Sequence, residues 1–169
     1  MTDLIPRFGI SPARLNILKG LLSLRSTLHG IGLLNGFQWL DGSFSENIES
    51  IESRPPGDID VVTFFHPPDT KTENDLLIEY PQLFDKNFIR KTYHVDAYFI
   101  GLPTIDLDED ELKDELEDLI ADSIYWYGVW SHQKKSFLWK GYLQIDLSPT
   151  DDHIALDNLN GIMNKGGMS

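Results

Sequence analysis

The chain has 169 residues, of which 41% are hydrophobic and 24% charged, a composition typical of one ordinary soluble globular domain. It contains no cysteine, which excludes disulfides, zinc–thiolate sites and thiol catalysis, and it has no apolar run approaching the ~20 residues of a membrane helix. The net charge of −13, with the basic residues scattered, argues against binding to a long nucleic-acid duplex. Met1 to Ile10 shows no basic region followed by an apolar stretch, so we expect no secretory signal and a cytoplasmic protein.

Turn residues and apolar spacing predict an alternation of helices and strands. Ser11-Pro12 is typical of a helix start, and the leucines that follow have helical spacing up to Gly30 or Gly32. Phe44 to Gly57 should be loop or a short helix. The other predicted elements are strands at Phe37–Leu40, Ile59–Phe65, Val95–Ile100 and Trp139–Leu147, a short helix at Asp75–Tyr80 and a long helix from about Asp108. The pattern predicts a single α/β (α+β) domain over residues 1–149, with a mixed sheet and flanking helices.

The long helix and the tail carry two further expectations. Apolar residues of the helix recur at three- to four-residue intervals and should face the core; they are Leu112, Leu116, Leu119, Tyr127 and Trp130. Ten carboxylates and one lysine lie between Asp106 and Asp122, which predicts a strongly negative exposed face. Residues 150–169 should be a flexible tail, either frayed or docked on a partner.

Asp58 and Asp60 are the first candidate chemical feature. Because side chains alternate along a strand, the two carboxylates point to the same face, about 6–7 Å apart. They repel each other unless a cation lies between them, and Mg²⁺ is the natural candidate because it prefers hard oxygen ligands and substrate phosphates. Arg54-Pro55-Pro56-Gly57 precedes the pair and the apolar strand follows it, whereas haloacid-dehalogenase-like phosphatases and many metal-dependent glycosyltransferases have the apolar strand before the pair.

This order resembles the polymerase-β-like nucleotidyltransferase superfamily. The family pattern is an apolar residue, Gly, then Gly or Ser, a spacer, and Asp-apolar-Asp-apolar. This chain has Leu40-Asp41-Gly42-Ser43, fourteen intervening residues and Asp58-Ile59-Asp60-Val61. It is most similar to small stand-alone bacterial members, a group that includes the minimal nucleotidyltransferase antitoxins paired with HEPN toxins.

The resemblance implies a role for each matching residue. Asp58 and Asp60 would bind Mg²⁺ or Mn²⁺, and Asp96, on a neighbouring strand, would complete the metal site and help deprotonate the acceptor. Gly42 and Ser43 would approach the phosphates. The nearest arginine, Arg54, is a further nucleotide-binding candidate.

Structural roles remain open for the same residues. Asp58 and Asp60 are also compatible with a turn aspartate followed by an edge-strand carboxylate, and Gly42-Ser43 with a simple turn. Asp96 is also compatible with an ion pair to Arg90 or Lys91.

Two functions follow from the resemblance. The first is a metal-dependent nucleotidyltransferase that moves a nucleoside monophosphate from a nucleoside triphosphate to a hydroxyl, with a protein acceptor favoured over a small molecule or an RNA end. The alternative is a catalytically weak or inactive relative that acts as a binding module, for example an antitoxin whose partner is a toxin, or a nucleotide sensor. Phe44 and Ser45 stand where many active members have an arginine, which keeps this alternative open.

Overall fold

The structure of the chain is a computed structural model that describes residues 1–104 and 107–166. It contains helices and strands in alternation, with short 3-10 turns at Ser43–Ser45 and Pro81–Phe84. In chain order the elements are α1 (Leu4–Phe8), α2 (Pro12–Gly30), β1 (Gly36–Asp41), α3 (Ile48–Glu52), β2 (Ile59–Phe65), α4 (Glu73–Glu79), α5 (Lys86–Tyr93), β3 (Val95–Gly101), α6 (Glu109–Trp130), β4 (Leu143–Asp146) and α7 (Asp152–Gly166).

The four strands form one mixed sheet in the order β3-β2-β1-β4. β2 runs parallel to β3, and β1 runs antiparallel to both β2 and β4. The parallel pair requires a crossover, which α4 and α5 supply between β2 and β3. The predicted α/β fold with a mixed sheet and flanking helices is therefore confirmed.

The larger core lies on the sheet face that α2 covers. This helix begins as predicted, with Pro12 in its first turn and the Ser11 side chain accepting a hydrogen bond from the Arg14 amide at 3.4 Å. Its leucines pack with alternate residues of β2 such as Ile59 and Val61. The β-branched residues of β2 are buried on both faces because β2 lies inside the sheet.

Residues 152–166 differ from the predicted flexible tail because they form α7, a helix packed against α1 and α2. Ala155 and Leu159 are fully buried in the larger core. Asp152, in the first turn, contacts the buried Arg25 of α2 with Oδ2 2.6 Å from Nε. Burial of two apolar residues and one ion pair gives this segment a fixed place in the domain.

α6 covers part of the opposite sheet face, where a smaller aromatic core contains Trp126 and Trp130. The predicted start is confirmed, because Asp108 forms a capping box with Glu111. The prediction that Leu116 and Tyr127 face the core is wrong: their exposed fractions are 42% and 54%. A single narrow stripe of α6 contacts the sheet, so residues beside that stripe remain in solvent. The predicted last strand is also shorter than expected, because β4 begins only at Leu143.

Candidate functional site

Three aspartates of three neighbouring strands lie side by side at one end of the sheet. Asp60 of β2 pairs in register with Asp41 of the antiparallel β1 and with Asp96 of the parallel β3. Residues directly opposite in a sheet point to the same face, here the face of the aromatic core. Asp58, two residues before Asp60, is the fourth member of this group. We call Asp41, Asp58, Asp60 and Asp96 the carboxylate cluster.

Asp60 is the electrostatic centre of the carboxylate cluster. Its burial, followed by the negative charges of Asp58, Asp96 and Asp41, raises the pKa of the Asp60 carboxyl to about 6, while the charge of Lys134 opposes the rise. Near neutral pH the carboxyl is thus ionised in a setting that disfavours its charge. Such a perturbed carboxyl is a general feature of functional sites, and a cation would relieve it.

Gly42 lies directly against the Asp60 carboxyl. Its φ of +83° is in the region that favours glycine, and a Cβ added there would lie 2.9 Å from both Asp60 Cγ and Asp60 Oδ2. The predicted Gly42-Ser43 turn therefore meets the cluster through the Gly42 backbone. Ser43 follows as the first residue of the 3-10 turn.

Ser45, which was not predicted as a site residue, connects this turn to β1. Its hydroxyl donates to Asp41 Oδ1 at 2.7 Å and contacts the Gly42 carbonyl at 3.0 Å. The buried guanidinium of Arg14 holds the other side of the turn, donating to the carbonyls of Phe44 and Glu46, each at 2.7 Å. The turn is thus fixed from two sides, which preorganises the backbone beside Asp60.

Lys140 is the ammonium partner of the buried Asp41. Its Nζ lies 2.9 Å from Asp41 Oδ2, 2.9 Å from Glu46 Oε1 and 3.3 Å from the Gly42 carbonyl. The Asp41 contact is an ion pair and not a well-directed hydrogen bond, since Oδ2 accepts none. Burial raises the pKa of Asp41 although Ser45 and Lys140 oppose it, and the two carboxylates raise the pKa of Lys140 against the effect of its burial.

Two further basic residues contact carboxylates around the cluster. Arg90 of α5 lies 2.6 Å from Asp58 Oδ2, so the arginine that we considered for Asp96 binds Asp58 instead. Arg54, a predicted nucleotide-binding residue, donates to Glu52 at 2.7 Å and to the Pro55 carbonyl. The structure therefore places Asp58, Asp60 and Asp96 at the same end of the sheet, with Gly42 against Asp60, whereas Arg54 contacts Glu52 outside the cluster.

The donor chemistry of the carboxylate cluster fits a divalent cation. Asp58, Asp60 and Asp96 offer hard oxygen ligands, and burial together with the charges of the neighbouring aspartates raises the pKa of Asp60. Within residues 1–104 and 107–166, no three acidic, histidine or cysteine side chains stand close enough together to enclose an ion. Arg90 and Lys140 instead occupy Asp58 and Asp41. Binding would require the aspartate side chains to move closer together and Asp58 to exchange Arg90 for the cation.

Asp41, Ser45, Arg90 and Lys140 were not predicted as site residues. The sequence contains a signal for Asp41, because this residue directly precedes Gly42 and lies two residues after Trp39, on the same face of β1. Arg90 and Lys140 had none, since their approach depends on the tertiary fold; Lys140 is 98 residues beyond Gly42.

Fold and site together define a small α/β protein with a carboxylate cluster at one end of a mixed sheet. The chain belongs to the DUF6932 family, a family of unknown function, whose model matches residues 1–146. The matched region includes all four strands, the carboxylate cluster and Lys140, and it ends before α7. No curated protein and no solved structure matches the chain. In the part of the chain that the structure describes, no helix is long and apolar enough to cross a membrane.

Proposed function

We propose that this chain is a metal-dependent nucleotidyltransferase of the cytoplasm, which moves a nucleoside monophosphate from a nucleoside triphosphate to a hydroxyl. The observation that carries the proposal is the in-register row of Asp41, Asp60 and Asp96 beside the tight Gly42 turn. Two-metal phosphoryl-transfer sites need carboxylates that converge next to a backbone open to phosphates. The resemblance of the Gly-Ser and Asp-x-Asp segments to that superfamily supports the same chemistry.

In the proposed reaction, the acceptor oxygen bonds to the α-phosphorus while the bond to the bridging oxygen of the β-phosphate breaks, and pyrophosphate leaves. Asp96 accepts the proton of the acceptor hydroxyl. Gly42 and Ser43 contact the phosphates, because the absent Cβ at Gly42 leaves the backbone accessible. Asp58, Asp60 and Asp96 would hold Mg²⁺ or Mn²⁺, which would supply positive charge for the attacking oxygen and for the leaving pyrophosphate.

The acceptor that we favour is a hydroxyl of a protein. The net charge of −13 opposes binding of a polyanionic RNA, and the fourteen basic residues are scattered along the sequence. A tyrosine or serine hydroxyl of a protein is uncharged, so its binding needs no cluster of basic residues. A small-molecule alcohol or an RNA end is the alternative acceptor.

The test uses nucleoside triphosphate labelled at the α-phosphate, with Mg²⁺ or Mn²⁺. We expect label to move to the chain itself or to an added acceptor, and Asp58→Asn with Asp60→Asn to abolish the transfer. Asp114→Asn is the matched control, since Asp114 is an exposed aspartate of α6. Absence of transfer by the wild-type chain with every nucleoside triphosphate and both metals would reject the enzymatic proposal.

One observation favours the second candidate, a catalytically inactive binding module such as an antitoxin or a nucleotide sensor. Asp58 and Asp41 are already neutralised by Arg90 and Lys140, as in a site that functions without a metal. For this candidate, a protein encoded by a neighbouring gene should bind the wild-type chain and the Asp58→Asn, Asp60→Asn double variant with equal affinity. If the wild-type chain transfers label and the double variant does not, the enzymatic proposal is supported and the binding module is rejected.

A further inference from the structure

α6 presents a second row of apolar side chains beside the row that packs on the sheet. Its members are Leu116, Ile120, Ile124 and Tyr127, which we call the α6 stripe. They follow one another at intervals of three or four residues, so they lie on one side of the helix over about three turns. Ile120 and Ile124 are 58% and 67% exposed, although isoleucine is most often a core residue. The α6 stripe is therefore a continuous apolar row in solvent.

The sheet next to the α6 stripe is itself only partly covered. Phe37 and Trp39 of β1 and Tyr142, just before β4, belong to the aromatic core but are only half-buried. The ring centres of Tyr127 and Tyr142 are 6.4 Å apart, and those of Tyr142 and Trp39 are 4.6 Å apart. Trp39 and Phe37 continue the row, with ring centres 6.1 Å apart. The α6 stripe and these three aromatic side chains thus form one apolar surface between helix and sheet, which we call the α6 surface.

Carboxylates border the α6 surface on both sides. On the helix side, residues 108–122 contain nine carboxylates and one lysine. Within the described part of the chain, the one ion pair that a carboxylate of α6 makes joins Glu117 to Lys113 at 3.9 Å. On the sheet side, the exposed Asp146 pairs in register with Phe37 and so points to the same face. An incoming lysine or arginine would therefore meet carboxylates that the described fold leaves largely without a cation.

We propose that the α6 surface binds an amphipathic helix of another protein, whose apolar face packs along the α6 stripe and whose flanks carry lysine and arginine. A helix fits because the α6 stripe is about three turns long and because helices pack through rows of residues three or four apart. Basic flanks fit because they complement the carboxylates on both sides of the apolar surface. This inference does not rest on the proposed function, since no member of the carboxylate cluster takes part.

The charge around the α6 surface favours this occupant over others. A second copy of the chain would bring the same carboxylates and a net charge of −13, so two α6 surfaces repel each other. An anionic lipid surface would account for the apolar side chains, but its charge is repelled by the same carboxylates. A basic amphipathic helix satisfies both the apolar and the acidic part of the surface.

The experiment measures the binding of three synthetic peptides of about 18 residues, or five helical turns, to the full chain by fluorescence anisotropy. The first peptide has leucines on one helical face and lysines elsewhere, and the second has glutamate in place of every lysine. The third has the composition of the first in an order that spreads the leucines around the helix. The first should bind at least about tenfold more tightly than the third, because only the first combines an apolar face with basic flanks. The second should not bind, and added salt should weaken binding of the first.

The double variant Ile120→Gln, Ile124→Gln tests the α6 stripe. Glutamine favours helices at least as well as isoleucine does, so the variant keeps α6 and loses two apolar contacts. Its affinity for the leucine–lysine peptide should fall at least about tenfold. Ile78→Gln in α4, at an isoleucine that is 71% exposed, is the matched control and should change the affinity by less than about twofold. The melting temperature of each variant checks that the fold is kept.

Three results would overturn the inference. The first is a wild-type chain that does not bind the leucine–lysine peptide, and the second is equal affinity of the wild-type chain and the double variant. The third is a wild-type dimer in analytical ultracentrifugation that the double variant loses, because it would assign the α6 surface to a second copy of the chain. Peptide binding is measured without nucleotide or metal, so each of these results leaves the proposed function to its own test of label transfer.

Discussion

The charge of the Asp60 carboxylate destabilises the folded protein, and this effect can be measured as a pH dependence of the free energy of unfolding. A folded-state pKa of about 6 against 3.8 for an isolated aspartate means that the folded chain binds a proton more tightly than the unfolded chain. Ionisation of Asp60 therefore lowers the free energy of unfolding as the pH rises from about 4 to about 6, and the destabilisation is complete above about pH 6. Removal of the charge should therefore stabilise the protein above about pH 6 and have little effect below about pH 4.

We predict that Asp60→Asn raises the free energy of unfolding by about 1–2 kcal/mol at pH 8, after allowance for partial solvent screening. The gain should diminish below about pH 6. Urea denaturation at pH 8 and pH 5 measures the difference, and Asp114→Asn serves as the control for loss of an exposed charge. A destabilised Asp60→Asn variant at pH 8, without added metal, would contradict the electrostatic account.

The second prediction at the residue scale concerns Gly42. Alanine there needs a φ of +83° and places its Cβ against the Asp60 carboxyl, so either the turn or the carboxylate must move. We expect Gly42→Ala to cost about 1–3 kcal/mol of stability and to weaken binding of nucleotide with Mg²⁺. Thermal denaturation and ATP titration measure the two effects.

The control is Gly128→Ala in α6, where an added Cβ meets nothing within 4 Å. Helix propensity makes this change neutral or stabilising by up to about 1 kcal/mol. Equal behaviour of the two variants would show that the space between Gly42 and Asp60 is not required.

At the element scale, α6 depends on few contacts for its length. Of its 22 residues only Trp126 and Trp130 are buried, and both belong to the aromatic core with Val62 and Phe64. The Trp126 ring packs edge-on against the Tyr98 ring, with ring centres 4.3 Å apart, and this contact holds the helix against β3. Loss of one tryptophan should therefore detach the helix before the remaining sheet unfolds.

We predict that Trp126→Ala makes the amides of α6 exchange with solvent much faster, while those of α2 keep most of their protection. Trp→Ala in a core costs about 3–5 kcal/mol, which exceeds what the few remaining contacts of α6 can supply. Hydrogen exchange measured by mass spectrometry separates the two helices. Ile124→Ala, at a residue that is 67% exposed, is the control and should leave both helices protected. Equal loss of protection in α2 would show that α6 and the larger core unfold together.

The elements that could be predicted from the sequence are those with local signals. Ser11-Pro12 and Asp108 fix the starts of α2 and α6 through side chains that cap their own helices. Periodicity gave the spacing of the α6 residues, but only the tertiary fold shows that Leu116 and Tyr127 lie beside the buried stripe. Trp139, expected in the last strand, instead forms an isolated bridge with His132, because only residues 143–146 pair with β1.

The residues of the candidate site also fall into two groups, those with a local sequence signal and those that only the tertiary fold brings near. Alternation along β2 predicts Asp58 and Asp60 on one face, and the structure places Asp58 just before the first residue of that strand. Apolar flanks identified the strand of Asp96, which pairs in register with β2. Their neighbours depend on sheet order and register, which bring Asp41 beside Asp60. Arg90 and Lys140 neutralise two of the four aspartates from distant segments, and no local pattern distinguishes them from other basic residues.

At the scale of the whole molecule, buried basic residues join elements that are far apart in sequence. Arg14 connects α2 to the turn after β1 and to Glu49 of α3. Arg25 connects the same helix to β1 and α7. Each of the two arginines is neutralised by one carboxylate, Glu49 for Arg14 and Asp152 for Arg25, and also donates to backbone or amide oxygens. These pairs contribute nothing to the net charge of −13, which the other residues carry.

Arg25 should be the most sensitive of these connections. Its side chain is 1% exposed, and its guanidinium contacts both oxygens of Asp152, at 2.6 and 3.0 Å, and Gln38 Oε1 at 2.7 Å. We predict that Arg25→Met costs about 3–5 kcal/mol, because methionine fills similar space but leaves Asp152 and Gln38 without their donor. Urea denaturation measures the loss. Arg54→Met, at a half-exposed arginine paired with Glu52, should cost less than about 1 kcal/mol. A similar cost for both variants would mean that α7 stays in place through Ala155 and Leu159 alone.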